Sequence, residues 1–313
     1  MSRFQVFYNP KANRGKAGKH WPQIESALEK RGFKVFCKEL PPRTELQKHL
    51  LEANSQGIRN IVAAGGDGTL QAIVEGVFGC SQCDGSDYSP NIGVIGMGTS
   101  NDFLKPFPAA DNIAGLPCRI DEMKISSFDV IRMEAVTPNG SIEIRHFLQS
   151  CHAGTIARTN MRLIHEKGFF NFLYKKFYPF GLIGTAAWEV FTFPGFKGFF
   201  KIGNEEREGE FLGLSIIKRP YIAGNFKFLT KRTKDDGLFD IAICEKVSSW
   251  RLISLIGKFE KEGLNDHPDV LFRETNHAWV RFSEPQPIDY DGEIIVAKEA
   301  KWSIIPKAIN IMG

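Results

Sequence analysis

Two turns rich in glycine and hydroxyls, one basic glycine-bearing turn, and two later turns rich in acid hold the residues of this chain best suited to chemistry. The first turn, Gly65-Gly66-Asp67-Gly68-Thr69-Leu70-Gln71, follows the apolar run Ile61-Val62-Ala63-Ala64. Small and β-branched residues before Gly65 suit a strand covered on both faces, and the glycines let the backbone turn sharply and approach a ligand. From Leu70 to Val77 apolar residues recur at helical spacing. The turn therefore aims a helix N-terminus at its guest, which should be an anion. A second turn, Gly98-Thr99-Ser100-Asn101-Asp102-Phe103, ends the apolar run Asn91 to Gly96 and offers a hydroxyl, an amide and an acid to a nucleotide. The third, Asn9 to Gly18, is basic and glycine-bearing and is another candidate phosphate-facing loop.

These turns need elements to hold them. Phe4–Tyr8 reads as a strand, Trp21–Lys30 as a helix ending at Gly32, Phe33–Cys37 as a strand and Arg43–Ser55 as a helix, giving β-α-β-α-β-α. That alternation predicts a parallel sheet with helices on both faces and ligands beyond the carboxyl ends of its strands. Cys80 to Pro90 reads as a small, polar surface loop. From about Ile125 the period changes to two, and Phe128–Met133 and Ser141–Phe147 form a hairpin around Thr137-Pro138-Asn139-Gly140. Further strands are expected at Glu210–Lys218, Phe239–Cys244, Ala278–Phe282, Ile294–Ala297 and Trp302–Ile305, with a helix from Trp250 to Glu262. Two domains follow, 1–124 and 125–313, the final segment returning to the first.

The chain has 313 residues, 42% hydrophobic, with a net charge of +4, which names no partner by itself and carries no nucleic-acid signature. Six scattered cysteines form no disulfide framework. The lone Cys80/Cys83 pair falls short of the three or four ligands of a metal site. The start of the chain lacks the regions of a signal peptide, so a cytoplasmic protein is expected. Between Gly168 and Phe200 aromatics crowd together among Lys175, Lys176, Lys197 and Lys201. Pro179, Glu189 and Pro194 interrupt the run of about twenty apolar residues that a transmembrane helix requires. We read this stretch as a helix closing one end of the β domain with its aromatics in the core, in preference to a patch that dips into lipid.

Taken in order, Asn9-Pro10, Gly65-Gly66-Asp67-Gly68-Thr69, Gly98-Thr99-Ser100-Asn101-Asp102-Phe103, Asp235-Asp236-Gly237-Leu238-Phe239-Asp240 and Asp291-Gly292-Glu293 resemble the diacylglycerol kinase catalytic-domain superfamily. The resemblance runs through nearly the whole chain. It implies an α/β + β fold: an N-terminal α/β nucleotide-binding domain with a mostly parallel sheet, and a C-terminal β-sandwich-like domain. ATP-dependent phosphorylation of a lipid hydroxyl would take place in the cleft between them. By similarity, Asn9, the run Gly65, Gly66, Asp67, Gly68, Thr69, Leu70 and Gln71, and Thr99 contact ATP, with Asn101 and Asp102 shaping their loop. Asp67 lies near the phosphates and their Mg²⁺, since a carboxylate faces a triphosphate only across a cation. Glu293 is the first choice for the base that accepts the substrate proton, with Asp291 its neighbour or competitor. On local grounds alone Asp291-Gly292 is equally a hairpin turn.

The resemblance further suggests a structural Mg²⁺ or Ca²⁺ site made by the Asp236 carboxylate and the carbonyls of Thr233 and Leu238. A turn that needs no metal fits the same residues. A lipid substrate, a peripheral membrane surface and a second copy in a homodimer are the implied partners. The basic residues Lys227, Lys231, Arg232 and Lys234 could hold an anionic bilayer or form a solvated loop. The chain departs from the family at Cys37-Lys38-Glu39-Leu40, which lacks the usual threonine, at Ala223-Gly224-Asn225-Phe226, and at Ser150 to Thr155. The alternatives are a soluble-metabolite kinase of NAD-kinase type, which shares a Gly-Gly-Asp-Gly turn, and a non-catalytic lipid-binding module.

Overall fold

The alternating strands and helices at the start of the chain form a parallel sheet. The computed structural model describes residues 2–84, 88–108, 112–166, 168–222, 224, 226–261 and 267–313. Ala223, Asn225 and the side chains of Cys83, Tyr174, Lys175, Lys176 and Tyr178 lie outside the described set. The chain divides into two compact units, residues 1–130 with 305–313, and residues 131–304.

The first unit contains β1 (Arg3–Tyr8), α1 (Lys16–Lys30), β2 (Lys34–Glu39), α2 (Arg43–Ser55), β3 (Asn60–Gly65), α3 (Asp67–Asp84), β4 (Asn91–Gly96), β5 (Asn112–Ile113), β6 (Leu116–Arg119) and the start of β7 (Ile125–Val136). Strands β2, β1, β3 and β4 lie in that order and all pair in parallel. Beyond β4, Asn310 and Ile311 add a further parallel pairing, and β6 pairs antiparallel. Every residue of β3 is buried, as a strand covered on both faces requires. Helix α1 buries Ala17, Trp21, Ile24 and Leu28 at helical spacing. It starts five residues before the expected Trp21, because Asn13, Arg14 and Gly15 all adopt positive φ and turn the chain immediately ahead of Lys16. Helix α3 runs through Cys80 to Asp84, where a surface loop was expected. Packing explains the extension: Cys80 is buried with its thiol on the Gln47 carbonyl, and the Gln47 amide donates to the Gly79 carbonyl at 2.6 Å.

The second unit carries the rest of β7, then β8 (Ile142–Phe147), β9 (Ser150–Gly154), α4 (Thr155–Asn160), a π-helical turn (Met161–His165), α5 (Phe169–Lys176), α6 (Tyr178–Thr192), β10 (Phe196–Ile202) and β11 (Glu205–Ile217). There follow β12 (Tyr221–Ile222), β13 (Phe226–Lys227), β14 (Phe239–Glu245), α7 (Ser249–Lys261), β15 (Val270–Thr275), β16 (His277–Tyr290) and β17 (Glu293–Met312), whose last residues belong to the first unit. The order β15-β14-β11-β10-β16-β17 is antiparallel throughout, so the sheet content of the chain as a whole is mostly antiparallel. Register shifts bend β11 at Phe211/Gly213 and β16 at Arg281/Gln286. Their early parts pair with β10 and their late parts with β9, which closes β9, β11, β10 and β16 into a ring around Phe196, Phe200, Phe211, Ile216 and Val280. The two short strands expected at Ile294–Ala297 and Trp302–Ile305 are parts of the single long β17.

The aromatic stretch splits, and the expectation of a wholly buried helix is corrected. Phe193, Phe196 and Phe200 enter the core. Phe169, Phe180, Trp188 and Phe191 are exposed on α5 and α6. Among the described residues no helix is long and apolar enough to cross a membrane.

Candidate functional site

In the first unit the three glycine-bearing turns meet at the carboxyl ends of β1, β3 and β4, and each is fastened to its neighbour. The Asn9 N–H donates to the Ala64 carbonyl at 2.9 Å, and its amide reaches the Thr69 hydroxyl at 3.3 Å. The Met97 N–H donates to the Gly65 carbonyl at 2.7 Å. Asp67, in the first turn of α3, accepts the Asp102 N–H at 3.0 Å on one carboxylate oxygen and the Phe103 N–H at 2.9 Å on the other. An acid expected to lie near magnesium thus holds the 98–103 loop by its backbone. A carboxylate is also the hard oxygen donor that Mg²⁺ takes, so the residue type fits the ion that would arrive with a nucleotide.

Glycine is required where these turns touch. A Cβ on Gly98 would sit 2.5 Å from Gly66 Cα, and one on Gly65 would collide with the Thr69 side chain. Asn101 takes positive φ and folds its amide back on Gly98, accepting that N–H at 2.8 Å, while Asp102 pairs with Lys105 at 2.6 Å. Thr99 and Gly68 are left exposed above this scaffold, Asn9 and Asp67 are half-buried, and Thr69, Leu70 and Gln71 are buried beneath it. A small recess lined by Gly66, Asp67, Leu70, Asn101 and Phe103 lies at the seam. It is a packing gap far below the roughly 300 Å³ at which ligand pockets begin, and a nucleotide would lie across the loops. The N-terminus of α3 beside two closely packed glycine turns suits a polyphosphate.

In the second unit the Asp291-Gly292-Glu293 turn joins β16 to β17. Asp291 has positive φ, and its carboxylate accepts the N–H groups of Leu148 at 2.9 Å, Gln149 at 3.1 Å and Ser150 at 2.9 Å. With its oxygens turned onto three amides it positions the 148–150 turn and has little capacity for a substrate proton. Glu293 is half-buried. Sequence reading passed over Asp289, a buried carboxylate that accepts the Gly292 N–H and the Asn160 amide, each at 2.8 Å. Burial pushes its pKa up to about 6. Opposite it in register lies His152, buried between the Ser150 and Ser215 hydroxyls at 2.9 Å each, with burial driving its pKa down to about 3. Burial along β16 alternates only as far as Phe282, and Gln286 to Tyr290 are all buried, so no periodicity in the sequence marked Asp289.

The 233–238 turn does not fit a divalent metal. Lys218 Nζ donates to Asp236 Oδ1 at 2.7 Å and to the Leu238 carbonyl at 2.9 Å, and so takes oxygens of two of the three residues assigned to the ion. The Thr233 and Leu238 N–H groups donate to the same carboxylate at 2.9 and 3.2 Å. Hydrogen bonding from Lys218 leads the influences that hold the Asp236 carboxyl below its usual range, against an opposing contribution from burial. Among the described residues no cluster of three or more His, Cys, Asp or Glu could hold a metal.

Residues 3–133 match the family described as the diacylglycerol kinase catalytic domain. The chain is 23% identical over 303 residues to the diacylglycerol kinase of Bacillus subtilis (strain 168), covering 94% of this chain and 90% of that one. It is 23% identical over 288 residues to the Stenotrophomonas maltophilia (strain K279a) protein named "Probable lipid kinase YegS-like", covering 85% and 82%. A solved structure of a diacylglycerol kinase from Bacillus anthracis str. Sterne superposes with a TM-score of 0.69 at 19% identity, over 99% of this chain and 96% of that one.

Proposed function

We propose that this chain, whose residues 3–133 match the diacylglycerol kinase catalytic domain family, is an ATP-dependent lipid kinase that transfers the γ-phosphoryl group of Mg²⁺-ATP to a lipid alcohol such as diacylglycerol, phosphatidylglycerol or a sphingoid base. The observation that supports this reading is the interlock of the Gly65–Gln71 and Gly98–Phe103 loops by Asp67, which holds two glycine turns together in a form suited to phosphate. Asn9, Gly65 to Gln71 and Thr99 would contact the nucleotide, and Asp67 would face the magnesium that arrives with it. Magnesium supplies charge neutralisation between phosphate oxygens.

Glu293 would accept the hydroxyl proton as the acceptor oxygen bonds to the γ-phosphorus and the bond to ADP breaks. Asp291 and Asp289 would act on it indirectly, one fastening the turn to Leu148–Ser150 and the other holding Gly292. The lipid would be met at an anionic bilayer surface, and α6 supports this by its inverted pattern. Phe180, Ile183, Trp188 and Phe191 point outward, while Glu189 is 0% exposed and bonded to Arg158 at 2.9 Å and Arg162 at 2.6 Å. With the one acid of residues 168–193 turned inward, Lys175 and Lys176 leave this segment a positive balance, which suits anionic lipid.

The test is labelled-ATP transfer to a panel of diacylglycerol, phosphatidylglycerol, sphingoid bases and NAD. Phosphate should appear on a lipid, and Glu293→Gln should bind ATP normally while losing transfer by 10²-fold or more, the scale of general-base catalysis. Label on NAD alone would replace the lipid reading with the soluble-metabolite one. No transfer to any acceptor would favour a binding module, and full turnover by Glu293→Gln would remove that residue as the base.

A further inference from the structure

We propose that the Lys218 ammonium is a built-in replacement for a divalent cation in the 233–238 turn, so that this part of the second unit is ordered without bound metal. The Lys218 side chain is 2% exposed and lies on β14's neighbour just past the end of β11. Its Nζ reaches the Asp236 carboxylate at 2.7 Å and the Leu238 carbonyl at 2.9 Å, one carboxylate and one main-chain oxygen from a tight turn. That is the donor set a hard cation would choose. An ammonium needs only about three acceptors, whereas Ca²⁺ or Mg²⁺ requires six or more oxygens.

Two cations already serve the carboxylates around the turn. Lys218 faces Asp236, and Arg232 spans Asp236 at 3.6 Å, the buried Asp240 at 3.1 Å and the exposed Glu274 at 2.7 Å. Each of the three carboxylates therefore has a cationic partner from the chain itself. A divalent ion at the Asp236 oxygens would have to displace the ammonium and would then stand beside the Arg232 guanidinium. Thr230 also donates to Asp240, which fixes the second carboxylate away from the turn. A tethered cation is at high effective concentration and cannot be removed by a chelator.

The device reaches beyond its own turn. The Lys218 N–H donates to the Gln149 carbonyl at 2.8 Å, and Asp291 accepts the Gln149 N–H at 3.1 Å. A continuous path of hydrogen bonds therefore runs from Asp236 through Lys218 and Gln149 to the turn that carries Glu293. Lys218 is a positioning residue for that turn and does not itself meet substrate.

Thermal unfolding of the nucleotide-free full chain in EDTA, then with Mg²⁺ or Ca²⁺ added to millimolar, tests this without relying on activity. The wild-type Tm should be the same in all three solutions. Lys218→Ala should lose about 5 °C or more in EDTA, because Asp236 loses its 2.7 Å ammonium partner and keeps only the more distant Arg232 as a cation, and should recover saturably with Ca²⁺ as the vacated oxygens accept the ion. Asp236→Asn in the Lys218→Ala background should abolish that recovery. If Lys218→Ala does not fold, calorimetric titration of the wild type with Ca²⁺ decides, and no heat of binding is expected. A wild-type Tm that climbs saturably with either ion, or a saturable binding heat, overturns the proposal. So does a Lys218→Ala protein as stable in EDTA as the wild type. None of these readouts depends on the lipid kinase reading, so either can fail alone.

Discussion

Asp67, Asp289 and Asp291 show that a carboxylate in a suggestive motif is defined by what donates to it. Asp67 and Asp291 each spend their oxygens on backbone N–H groups of a distant turn, 35 and 36 residues away for one and 141 to 143 for the other. Asp289 differs, because its burial is only partly offset by the Gly292 N–H and the Asn160 amide, and its pKa rises to about 6. The folded protein therefore holds a proton that the unfolded chain has released, and stability falls as pH rises from about 4 to about 6. His152 and His146, lowered by burial to about 3 and about 4, act in the opposite sense and cost stability as pH falls below their usual 6.5. Asp289→Asn should remove the first effect alone. Its stability relative to wild type, read from urea midpoints, should climb between pH 4 and 6.5 by on the order of 2 to 3 kcal/mol. A difference that is flat across that range would show that Asp289 does not titrate there.

At the scale of elements, helix α6 has its amphipathicity reversed. Thr185 and Glu189 face inward, and the outward positions Phe180, Ile183, Ala187, Trp188 and Phe191 recur at the spacing of one helical face. Phe191 also packs edge-on against Trp250 of α7, with ring centroids 5.6 Å apart, which extends the apolar surface to a second helix. Each large side chain removed from water is worth about 1.5 to 3 kcal/mol. Phe180→Ser with Trp188→Ser should thus reduce flotation with phosphatidylglycerol vesicles by about 10²-fold while the thermal midpoint stays near wild type. Turnover of a short-chain, monomeric lipid alcohol should persist. Undiminished vesicle binding would exclude α6 as the docking face, and a dimer that dissociates in the variant without any vesicle binding would assign the face to a second copy. Phe200, in the same aromatic stretch, sits in the core, and its truncation would report stability instead.

At the scale of the whole molecule, the first unit is completed by the last nine residues of the chain. Asn310 and Ile311 extend the parallel sheet at β4, Met312 is in the core, and Gly313 exchanges backbone hydrogen bonds with Asp121. Deleting 305–313 should expose the edge of β4 and open residues 3–130 to protease. Limited proteolysis read by mass spectrometry should find its earliest cuts there, and an unchanged cleavage pattern would show that the return segment is dispensable.

Local rules were enough for the sequence to determine much of this. The period of the apolar residues delivered β1 to β4, the helices between them and the β7–β8 hairpin, because helix and strand periodicity is written within a few turns of chain. The turns at Gly65 and Gly98 were legible because only glycine permits their close approach. The tertiary structure alone decided which face of α6 meets water, that α3 continues past Cys80, that Asp67 and Asp291 clamp distant turns, and that Lys218 occupies the oxygens a metal would take. Each of those outcomes depends on a partner brought close by folding. A single sequence records the side chain but not the donor that will reach it, and in a low-dielectric interior that donor determines what a charge can do.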